Sequence, residues 1–320
     1  MVKVGIIGGA GYTAGELIRI LLNHPQVSIE WIHSNSQAGL KISQVHEGFS
    51  FDTDLTFIDT ADCKNIDCLF MCMGHGQSAE FWKHNTCPDS LVVIDLAQDY
   101  RDESCGYVYG LPEFQSDCIS GARLIANPGC FATCIQLALL PLANAKLLTN
   151  DIHVTAITGS TGAGVKPGST THFSWRCNNL SVYKAFNHQH LHEIRRTLTT
   201  LQGGEIGEIN FVPMRGDFPR GILASVYTKC SLSEEEAHEL YKEYYHKSVF
   251  THVADRDIDL KQVTNTNKCL VHVTKHGDNL HIVSIIDNLL KGASGQAVEN
   301  MNIAFFLPQD LGLRLKPNAF

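Results

Sequence analysis

The chain has 320 residues, 44% of them hydrophobic, which is enough for two domains with separate cores. Its formal net charge of -8 excludes a general nucleic-acid binder, because such proteins need a clustered excess of Lys and Arg. We expect neither a cleavable signal sequence nor a membrane-spanning segment. The 11 cysteines are an odd number without framework spacing, which favours reduced thiols and a cytoplasmic location.

A glycine-rich turn follows the first predicted strand. The apolar segment Val2–Ile7 leads directly into residues 8–15, GGAGYTAG, and a helical pattern follows over residues 16–22. This order is typical of dinucleotide binding, because the turn brings backbone N–H groups close to a pyrophosphate at a helix N-terminus. Two registers fit, Gly9-x-Gly11-x-x-Ala14 and Gly8-x-x-Gly11-x-x-Ala14, and a tight turn without a ligand is the alternative. The expected cofactor contacts are Gly8, Gly11, Tyr12, Thr13 and Ala14.

The second predicted strand, Val27–His33, ends without a carboxylate. It is followed by Ser34-Asn35-Ser36, with Lys41 nearby. An Asp or Glu at this place would bind the ribose hydroxyls of NAD, whereas hydroxyl and amide groups accommodate a 2′-phosphate. The sequence therefore favours NADP (NADPH) as cofactor, with Ser34 and Ser36 among its ligands.

The remaining strand patterns divide the chain into two kinds of domain. Patterns at residues 68–73 and 91–95 continue a doubly wound parallel sheet, and the Gly74-His75-Gly76 loop ends one strand. Later patterns at 153–158, 209–213, 222–229, 269–274 and 280–286, with a hairpin turn at 276–278, indicate an α+β domain. A helix over 233–247 begins with a capping box of Ser233 and Glu236.

An amphipathic pattern over residues 295–306 predicts a closing helix after the loop Lys291-Gly292-Ala293-Ser294-Gly295. We expect this helix to pack onto the first domain, which would bring Asn288 close to the nicotinamide end of the cofactor cleft. The predicted organisation is a Rossmann-type α/β domain of residues 1–129 and 292–320. A substrate and dimerisation domain of the α+β class then comprises residues 130–291.

One cysteine has a chemical context. Arg123 to Ala126 predicts the end of a buried strand, Pro128-Gly129 breaks it, and an apolar helical run follows from Thr133. Cys130 would then lie in the first helical turn, where unpaired N–H groups and the helix dipole favour the thiolate. A buried structural thiol is the alternative.

Histidines are expected at the start of another helix. His188, His190 and His192 precede or begin a pattern in which Leu191, Ile194, Leu198 and Leu201 recur at helical spacing. Neutral imidazole is favoured at a helix N-terminus and can accept a proton. Exposed polar residues that cap the helix are the alternative. We expect no metal, because no further Cys or carboxylate spacing completes a site.

Two glycine-rich loops carry cations. Lys166 ends the segment 158–166, and Arg215 and Arg220 lie in the segment 213–221. Such loops suit phosphate or carboxylate groups, although Arg215 could instead pair with Asp217 or be a solvated surface charge.

These features together predict hydride transfer through a thioester. A thiolate attacks an acyl phosphate, phosphate leaves, and the nicotinamide delivers hydride to the acyl group to release an aldehyde. A histidine supplies or removes the proton.

Six motifs make the resemblance to a family specific, and they span nearly the whole chain. The chain resembles the N-acetyl-gamma-glutamyl-phosphate reductases, the acyl-phosphate reductases of arginine biosynthesis and relatives of aspartate-semialdehyde dehydrogenase. The motifs are residues 8–17 (GGAGYTAGEL), 94–101 (IDLAQDYR), 109–113 (YGLPE), 127–130 (NPGC), 188–194 (HQHLHEI) and 291–298 (KGASGQAV).

The resemblance implies a role for particular residues. Cys130 is the implied nucleophile, and His190 is the implied acid/base, with His188 as the alternative. A small-molecule acyl phosphate, NADPH and a homodimer or homotetramer are implied as substrate, cofactor and assembly. The substrate-binding candidates are Arg101, Lys166, Arg215 and Arg220.

The chain departs from the family pattern at several positions. Ala14 replaces a third glycine, Asn35 stands where an arginine often meets the 2′-phosphate, and Val165 occupies a common arginine position. Residues 215–219 look like an insertion, which leaves open which cation holds the substrate phosphate.

Two other functions remain in competition. An aspartate-semialdehyde dehydrogenase would use the same thiol chemistry on a different acyl phosphate. A redox sensor would bind NADP without turnover and use Cys130 as an oxidisable switch. The sequence does not distinguish an acetyl from a larger acyl group on the substrate amine.

Overall fold

The computed structural model describes residues 1–318 and contains two compact units. The N-terminal unit comprises Met1–Pro128 and Ala293–Arg314, and the C-terminal unit comprises Gly129–Gly292 and the segment that begins at Leu315. In that segment the carbonyl of Lys316 accepts a hydrogen bond from Asn265 Nδ2 (3.2 Å), whereas the sequence-based assignment gave residues 292–320 to the first domain. Ala319 and Phe320, the end of that assignment, lie outside the described residues.

The N-terminal unit is built on a fully parallel seven-stranded sheet. Its spatial order is β3-β2-β1-β4-β5-β7-β6. The chain order reverses between β1 and β4, and in open parallel sheets ligands bind outside the carboxyl ends of strands at such a point. The strands are β1 (Val2–Ile7), β2 (Val27–His33), β3 (Phe57–Ile58), β4 (Cys68–Met71), β5 (Val92–Asp95), β6 (Val108–Tyr109) and β7 (Leu124–Ala126).

Five α-helices belong to this unit when elements are numbered along the chain. They are α1 (Tyr12–Leu21), α2 (Ile42–Val45), α3 (Gln77–His84), α4 (Pro112–Ile119) and α9 (Gly295–Ala304). Helix α9 packs against α1, α4 and β5. Asn300 Nδ2 donates to the carbonyl of Gly110 (2.9 Å) and to Asn127 Oδ1 (3.0 Å). The last helix thus fixes the segment that ends this unit at Pro128.

The C-terminal unit contains a mixed seven-stranded sheet of order β12-β13-β14-β11-β8-β10-β9. Pairs β8/β10 and β12/β13 are parallel and the other neighbours antiparallel. The predicted hairpin is confirmed, with Gly277 at φ 59° between its strands. The strands are β8 (Ile152–Thr158), β9 (Ser181–Val182), β10 (Ile209–Arg215), β11 (Ile222–Lys229), β12 (Thr251–Val253), β13 (Cys269–His276) and β14 (Asn279–Ile286).

Four helices accompany this sheet: α5 (Cys130–Asn144), α6 (Phe173–Arg176), α7 (His190–Gln202) and α8 (Glu234–Tyr245). Helices α5, α7 and α8 pack against the strands and α5 packs against α7. The predicted capping box of α8 is present, because Ser233 Oγ accepts from the Glu236 N–H and Glu236 Oε2 from the Ser233 N–H. The core of the unit therefore lies between α5 and the sheet.

The prediction of a loop at residues 291–295 is wrong. The structure has a π-helical turn, Leu290–Ser294, that runs directly into α9. Asp287 Oδ1 accepts from the N–H groups of Leu289 (2.8 Å) and Leu290 (3.2 Å) and so begins the turn. A carboxylate that satisfies the first donors of a helical turn has the same effect as an N-cap.

A proline inside α5 leaves one backbone carbonyl without its helical hydrogen bond, and a side chain of α8 supplies a donor. Pro141 has no N–H, so the carbonyl of Leu137 loses its partner within the helix. Tyr245 Oη donates to that carbonyl at 2.5 Å, and Tyr241 Oη donates to the carbonyl of Ala138 at 2.6 Å. Both phenol groups are buried, so α8 is held to α5 by hydrogen bonds as well as by packing.

We predict that Tyr245→Phe lowers the free energy of unfolding by about 1–3 kcal/mol, because the buried Leu137 carbonyl is left unsatisfied. Urea denaturation measures the change. The cost should shrink in a Pro141→Ala background, where the restored N–H reaches the same carbonyl. Tyr227→Phe, at a residue that is 44% exposed, is the control and should change stability little. Equal costs with and without Pro141 would contradict the assignment.

Candidate active site

The glycine turn between β1 and α1 contains Gly8, Gly9 and Gly11. Gly8 adopts φ 80°, and a Cβ there would lie 2.5 Å from the carbonyl oxygen of Cys72. Gly11 is the N-cap of α1; among residues 1–318, beyond its chain neighbours and helix backbone, only the Gly8 carbonyl oxygen (3.8 Å) comes within 4 Å of its missing Cβ. Ala14 is fully buried. Gly8 therefore makes the tight turn, and Gly11 leaves the first N–H groups of α1 open to an anion.

The first turn of α1 also contains Tyr12 and Thr13. Tyr12 is 41% exposed, and Thr13 is half-buried, with its carbonyl accepting from Ser294 Oγ at 2.7 Å. Because this turn is uncharged, nothing in it repels a pyrophosphate from the positive end of the helix dipole.

The end of β2 presents hydroxyl and amide groups. Ser34 is buried and its N–H donates to the carbonyl of Ile58 (3.0 Å), whereas Asn35 and Ser36 are exposed. Lys41 Nζ lies 2.8 Å from Asp54 Oδ1 in an exposed ion pair. Lys41 is thus ion-paired with Asp54 across the surface, and residues 34–36 contribute no carboxylate at the end of β2.

A buried carboxylate lies at the carboxyl end of β5. Burial raises the pKa of Asp95 to about 6, and its Oδ1 accepts from Ser78 Oγ (2.9 Å) and the Ala97 N–H (2.8 Å). Asp99 accepts from the N–H groups of Gly76 (2.6 Å) and Ala79 (3.1 Å). These two side chains fix the loops after β4 and β5.

Arg101 is held inside the N-terminal unit. Its Nε donates to the carbonyl of Asn127 (2.9 Å) and an Nη to the carbonyl of Leu96 (2.9 Å), and the residue is 7% exposed. The guanidinium therefore orders the segment that leads toward Pro128, and its predicted role in substrate binding stays a prediction.

In the C-terminal unit Cys130 is the first residue of α5, as the sequence predicts. Gly129 is the N-cap, with extended backbone, and its carbonyl accepts from the Thr133 N–H (2.8 Å). The cysteine is half-buried. Its position at the positive end of a 15-residue helix stabilises the thiolate.

Gly292 packs directly on this cysteine. A Cβ at Gly292 would lie 2.8 Å from the Cβ of Cys130, and the Gly292 N–H donates to the carbonyl of Asp287 at 3.0 Å. Any larger residue would push the start of α5 away. The glycine-rich pattern of residues 291–295 predicts a loop but gives no sign of this contact.

The two predicted histidines lie at the start of α7. His190 is its first residue, and its N–H donates to His188 Nδ1 at 3.2 Å. Burial, and then the charge of Lys184, lower the pKa of His188 to about 4. His188 is therefore neutral near pH 7, with its Nδ1 occupied by the backbone.

Phe131, in the first turn of α5, contacts the rings of both predicted histidines. It follows Cys130 and makes edge contacts with the rings of His188 (5.4 Å between centroids) and His190 (6.3 Å). The structure thus brings Cys130, His188 and His190 into one neighbourhood.

A buried carboxylate, Glu193, connects the same two elements. Its Oε2 accepts from the Gly129 N–H at 3.1 Å, and its Oε1 lies 3.9 Å from His190 Nε2. Glu193 is 6% exposed. In the sequence Glu193 stands out only as part of the 188–194 motif, although its spacing of three from His190 places both in the first turn of α7.

Tyr183 and Arg215 complete the surroundings of the thiol. Burial, and then the charge of Cys130, raise the pKa of Tyr183 to about 12, while Arg215 opposes the rise. The Arg215 guanidinium carbon lies 4.7 Å from the centre of the Tyr183 ring. Sequence reasoning missed Tyr183, because no local pattern connects it with residue 130.

The remaining predicted ligands, Arg220 and Lys166 for the substrate and Asn288 for the cofactor, have different surroundings. Arg220 forms a two-point ion pair with Asp287, with Nε–Oδ2 at 3.0 Å and Nη2–Oδ1 at 3.2 Å. Lys166 is exposed. Asn288 Nδ2 donates to Thr161 Oγ1 (3.0 Å), and its Oδ1 accepts from the Gly221 N–H (2.7 Å). Arg220 and Asn288 thus both connect loops of the C-terminal unit.

Metal chemistry has no candidate centre in residues 1–318: no group of three or more His, Cys, Asp or Glu side chains there could hold an ion. Within the same residues no helix is long and apolar enough to cross a bilayer. None of the 11 cysteines, all within residues 1–318, forms a disulfide bond.

Two family models match the chain. The model described as the NAD binding domain of semialdehyde dehydrogenase matches residues 3–122, and the model described as its dimerisation domain matches residues 130–288. The N-terminal unit is therefore an NAD(P)-binding domain.

Solved structures have the same fold. Aspartate semialdehyde dehydrogenase II of Vibrio cholerae in complex with ASA has a TM-score of 0.75 at 16% identity and covers 96% of this chain and 98% of its own. The enzyme of Candida albicans with NADP has a TM-score of 0.73 at 15% identity and covers 95% of this chain and 98% of its own.

Curated relatives are much more similar in sequence. Proteins named N-acetyl-gamma-glutamyl-phosphate reductase are 58% identical in Phocaeicola vulgatus, 58% in Bacteroides thetaiotaomicron and 50% in Christiangramia forsetii, each with 100% of both chains covered. With both family models and these relatives along its whole length, this chain belongs to the N-acetyl-gamma-glutamyl-phosphate reductases, a family of the semialdehyde dehydrogenases.

Proposed function

We propose that this chain reduces N-acetyl-gamma-glutamyl phosphate to N-acetylglutamate semialdehyde and phosphate, with NADPH as reductant and Cys130 as nucleophile. Relatives of that name at 58% identity support the substrate. The observation that carries the chemistry is the position of Cys130, half-buried at the first residue of α5.

The thiol attacks as its anion. The N-terminus of α5 stabilises the negative sulfur, which adds to the acyl carbon while the bond to the phosphate oxygen breaks. Inorganic phosphate leaves with that electron pair, and Cys130 holds the acyl group as a thioester.

NADPH, when bound, supplies the hydride that reduces the thioester carbonyl. The sulfur then leaves as thiolate, and the aldehyde is released. Ser34, Asn35 and Ser36 support the phosphorylated cofactor, because they offer hydrogen-bond donors and no carboxylate. Gly8 and Gly11 support binding of the pyrophosphate at the start of α1.

His190 is the proposed acid/base. It donates a proton to the oxygen that becomes negative during reduction and takes one back as the aldehyde forms. His188 is a poorer candidate, because burial lowers its pKa to about 4 and its Nδ1 accepts the His190 N–H. His188 thus orients the start of α7.

Arg215 is the proposed ligand of the substrate's anionic group. Its Nε is buried and has no hydrogen-bond partner among residues 1–318. Its guanidinium lies against the ring of Tyr183, and the charge of Cys130 contributes to the raised pKa of that tyrosine. Arg220 is instead committed to the buried carboxylate of Asp287.

The proposed assembly is a homodimer or homotetramer, in the cytoplasm. The match of residues 130–288 to a dimerisation domain supports an oligomer, and the 11 cysteines without a disulfide support a reducing compartment.

Cys130→Ser should reduce turnover by at least about 1,000-fold, because a serine hydroxyl is not ionised at this pH. The assay follows NADP reduction with phosphate and either N-acetylglutamate semialdehyde or aspartate semialdehyde, and the first substrate should be strongly preferred. Cys118→Ser, at an exposed cysteine, is the control and should match wild type. A Cys130→Ser variant with more than about a tenth of wild-type activity would exclude this mechanism.

Arg215 and Arg220 should respond differently to loss of charge. Arg215→Gln is expected to raise KM for the acyl phosphate about 10- to 100-fold with little change in stability. Arg220→Gln leaves the fully buried Asp287 carboxylate without its ion pair and should cost about 3 kcal/mol in urea denaturation. If Arg220→Gln instead raised KM in a stable protein and Arg215→Gln did not, the assignment would be reversed.

Asn35→Asp tests the cofactor preference without a change in side-chain volume. The added carboxylate should raise KM for NADPH about 10-fold through repulsion of the 2′-phosphate and leave KM for NADH within about 3-fold. Asn85→Asp, just after the carboxyl end of α3, is the control. Equal effects on both cofactors would count against recognition of the 2′-phosphate at residue 35.

A further inference from the structure

The carboxylate of Glu193 has an unusual place in the C-terminal unit. One oxygen accepts the N–H of Gly129, the residue before the thiol, at 3.1 Å. The other oxygen lies 3.9 Å from His190 Nε2. A single side chain of 6% exposure thus contacts both the backbone that carries the proposed nucleophile and the imidazole of the proposed acid/base.

Burial of this carboxylate is costly unless its surroundings favour the charge. Glu193 lies in the first turn of α7, and it also accepts the N–H of the α5 N-cap. Both helix N-termini therefore stabilise its negative charge. The same charge stabilises the imidazolium form of His190, because opposite charges a few ångströms apart attract strongly where solvent is excluded.

We propose that Glu193 is a positioning residue for the reduction. It holds the His190 ring relative to the start of α5 and keeps that ring protonated over a wider pH range. The inference rests on the proposed function, since it assigns to His190 the proton that the reduction needs.

Other titratable and charged groups of this unit also affect the balance between imidazole and imidazolium at His190. His188, on the segment before α7, lies 4.6 Å away between ring centroids and is neutral near pH 7. The charge of Lys184 contributes to the lowered pKa of His188, and Lys184 Nζ donates to Gln189 Oε1 at 3.0 Å. Arg215 at the end of β10 lies over Tyr183. The two cations disfavour imidazolium, whereas Glu193 and a Cys130 thiolate on α5 favour it.

A purely structural role would connect α5 and α7 without any effect on proton transfer. In that case replacement of Glu193 would lower stability and leave the pH dependence of kcat unchanged in the folded protein. The pH profile therefore separates the two roles.

Glu193→Gln keeps the shape and an acceptor for the Gly129 N–H but removes the charge. In the full-length enzyme we expect kcat to fall about 10- to 100-fold, with both KM values within about 3-fold. The alkaline limb of the kcat profile should move down by about one pH unit, because imidazolium loses a stabilising charge.

Two further variants keep the test falsifiable. Glu193→Asp retains the charge, so its alkaline limb should stay within about 0.3 unit of wild type even where the shorter side chain lowers kcat; this variant also decides the question if the Gln variant fails to fold. Glu208→Gln is the matched control, because Glu208 forms an exposed ion pair with Arg195, which lies on α7 like Glu193.

The outcomes are distinct. The inference is overturned if the alkaline limb of the kcat profile of folded Glu193→Gln stays at the wild-type pH. It is also overturned if the limb of Glu193→Asp shifts by about one unit, as expected for loss of the charge. In either case turnover by the wild-type enzyme leaves the proposed function intact. Absence of substrate-dependent NADPH oxidation in the wild type overturns the proposed function and this inference with it.

Discussion

The chemistry of this chain depends on where helix α5 begins. Pro128-Gly129 ends the preceding strand segment and leaves Cys130 as the first helical residue, so the sulfur lies at the positive end of 15 aligned peptide dipoles. Three side chains or backbone groups fix that start. Glu193 accepts the Gly129 N–H, Gly292 leaves room beside the Cys130 Cβ, and Phe131 contacts His188, just before α7, and His190, its first residue. A shift of one residue in the start of α5 would remove the thiol from this environment.

The N-terminal unit uses the same physical device for a different ligand. At the start of α1, Gly8 turns the chain and Gly11 keeps the first N–H groups open, and in the proposed function an anionic cofactor group binds at this helix N-terminus. In the proposed function, the thiolate at α5 and the pyrophosphate at α1 are each stabilised by peptide dipoles at a helix N-terminus. This is consistent with a chain whose net charge is -8 and which nevertheless handles phosphorylated ligands.

Much of the fold and part of the site could be predicted from the sequence, because the signals are local. Strand β1, the glycine turn, the start of α5 and the capping box of α8 each depend on neighbours within a few residues. The rest depends on contacts between distant segments. Glu193 reaches Gly129 across 64 positions, and Arg220 is committed to Asp287 across 67, so neither role has a local pattern. Residues 290–294 form a π-helical turn instead of the expected loop, because the Asp287 carboxylate satisfies the first N–H groups.

The central claim is that Cys130 carries the acyl group. Incubation of the enzyme with N-acetylglutamate semialdehyde and NADP, without phosphate, should form the thioester and reduce one equivalent of NADP, after which turnover stops. Mass spectrometry of the digested protein should then find the N-acetylglutamyl mass on the peptide that contains Cys130, and addition of phosphate should remove it. Stoichiometric reduction of NADP with an unmodified Cys130, or with the label on another residue, would contradict the account.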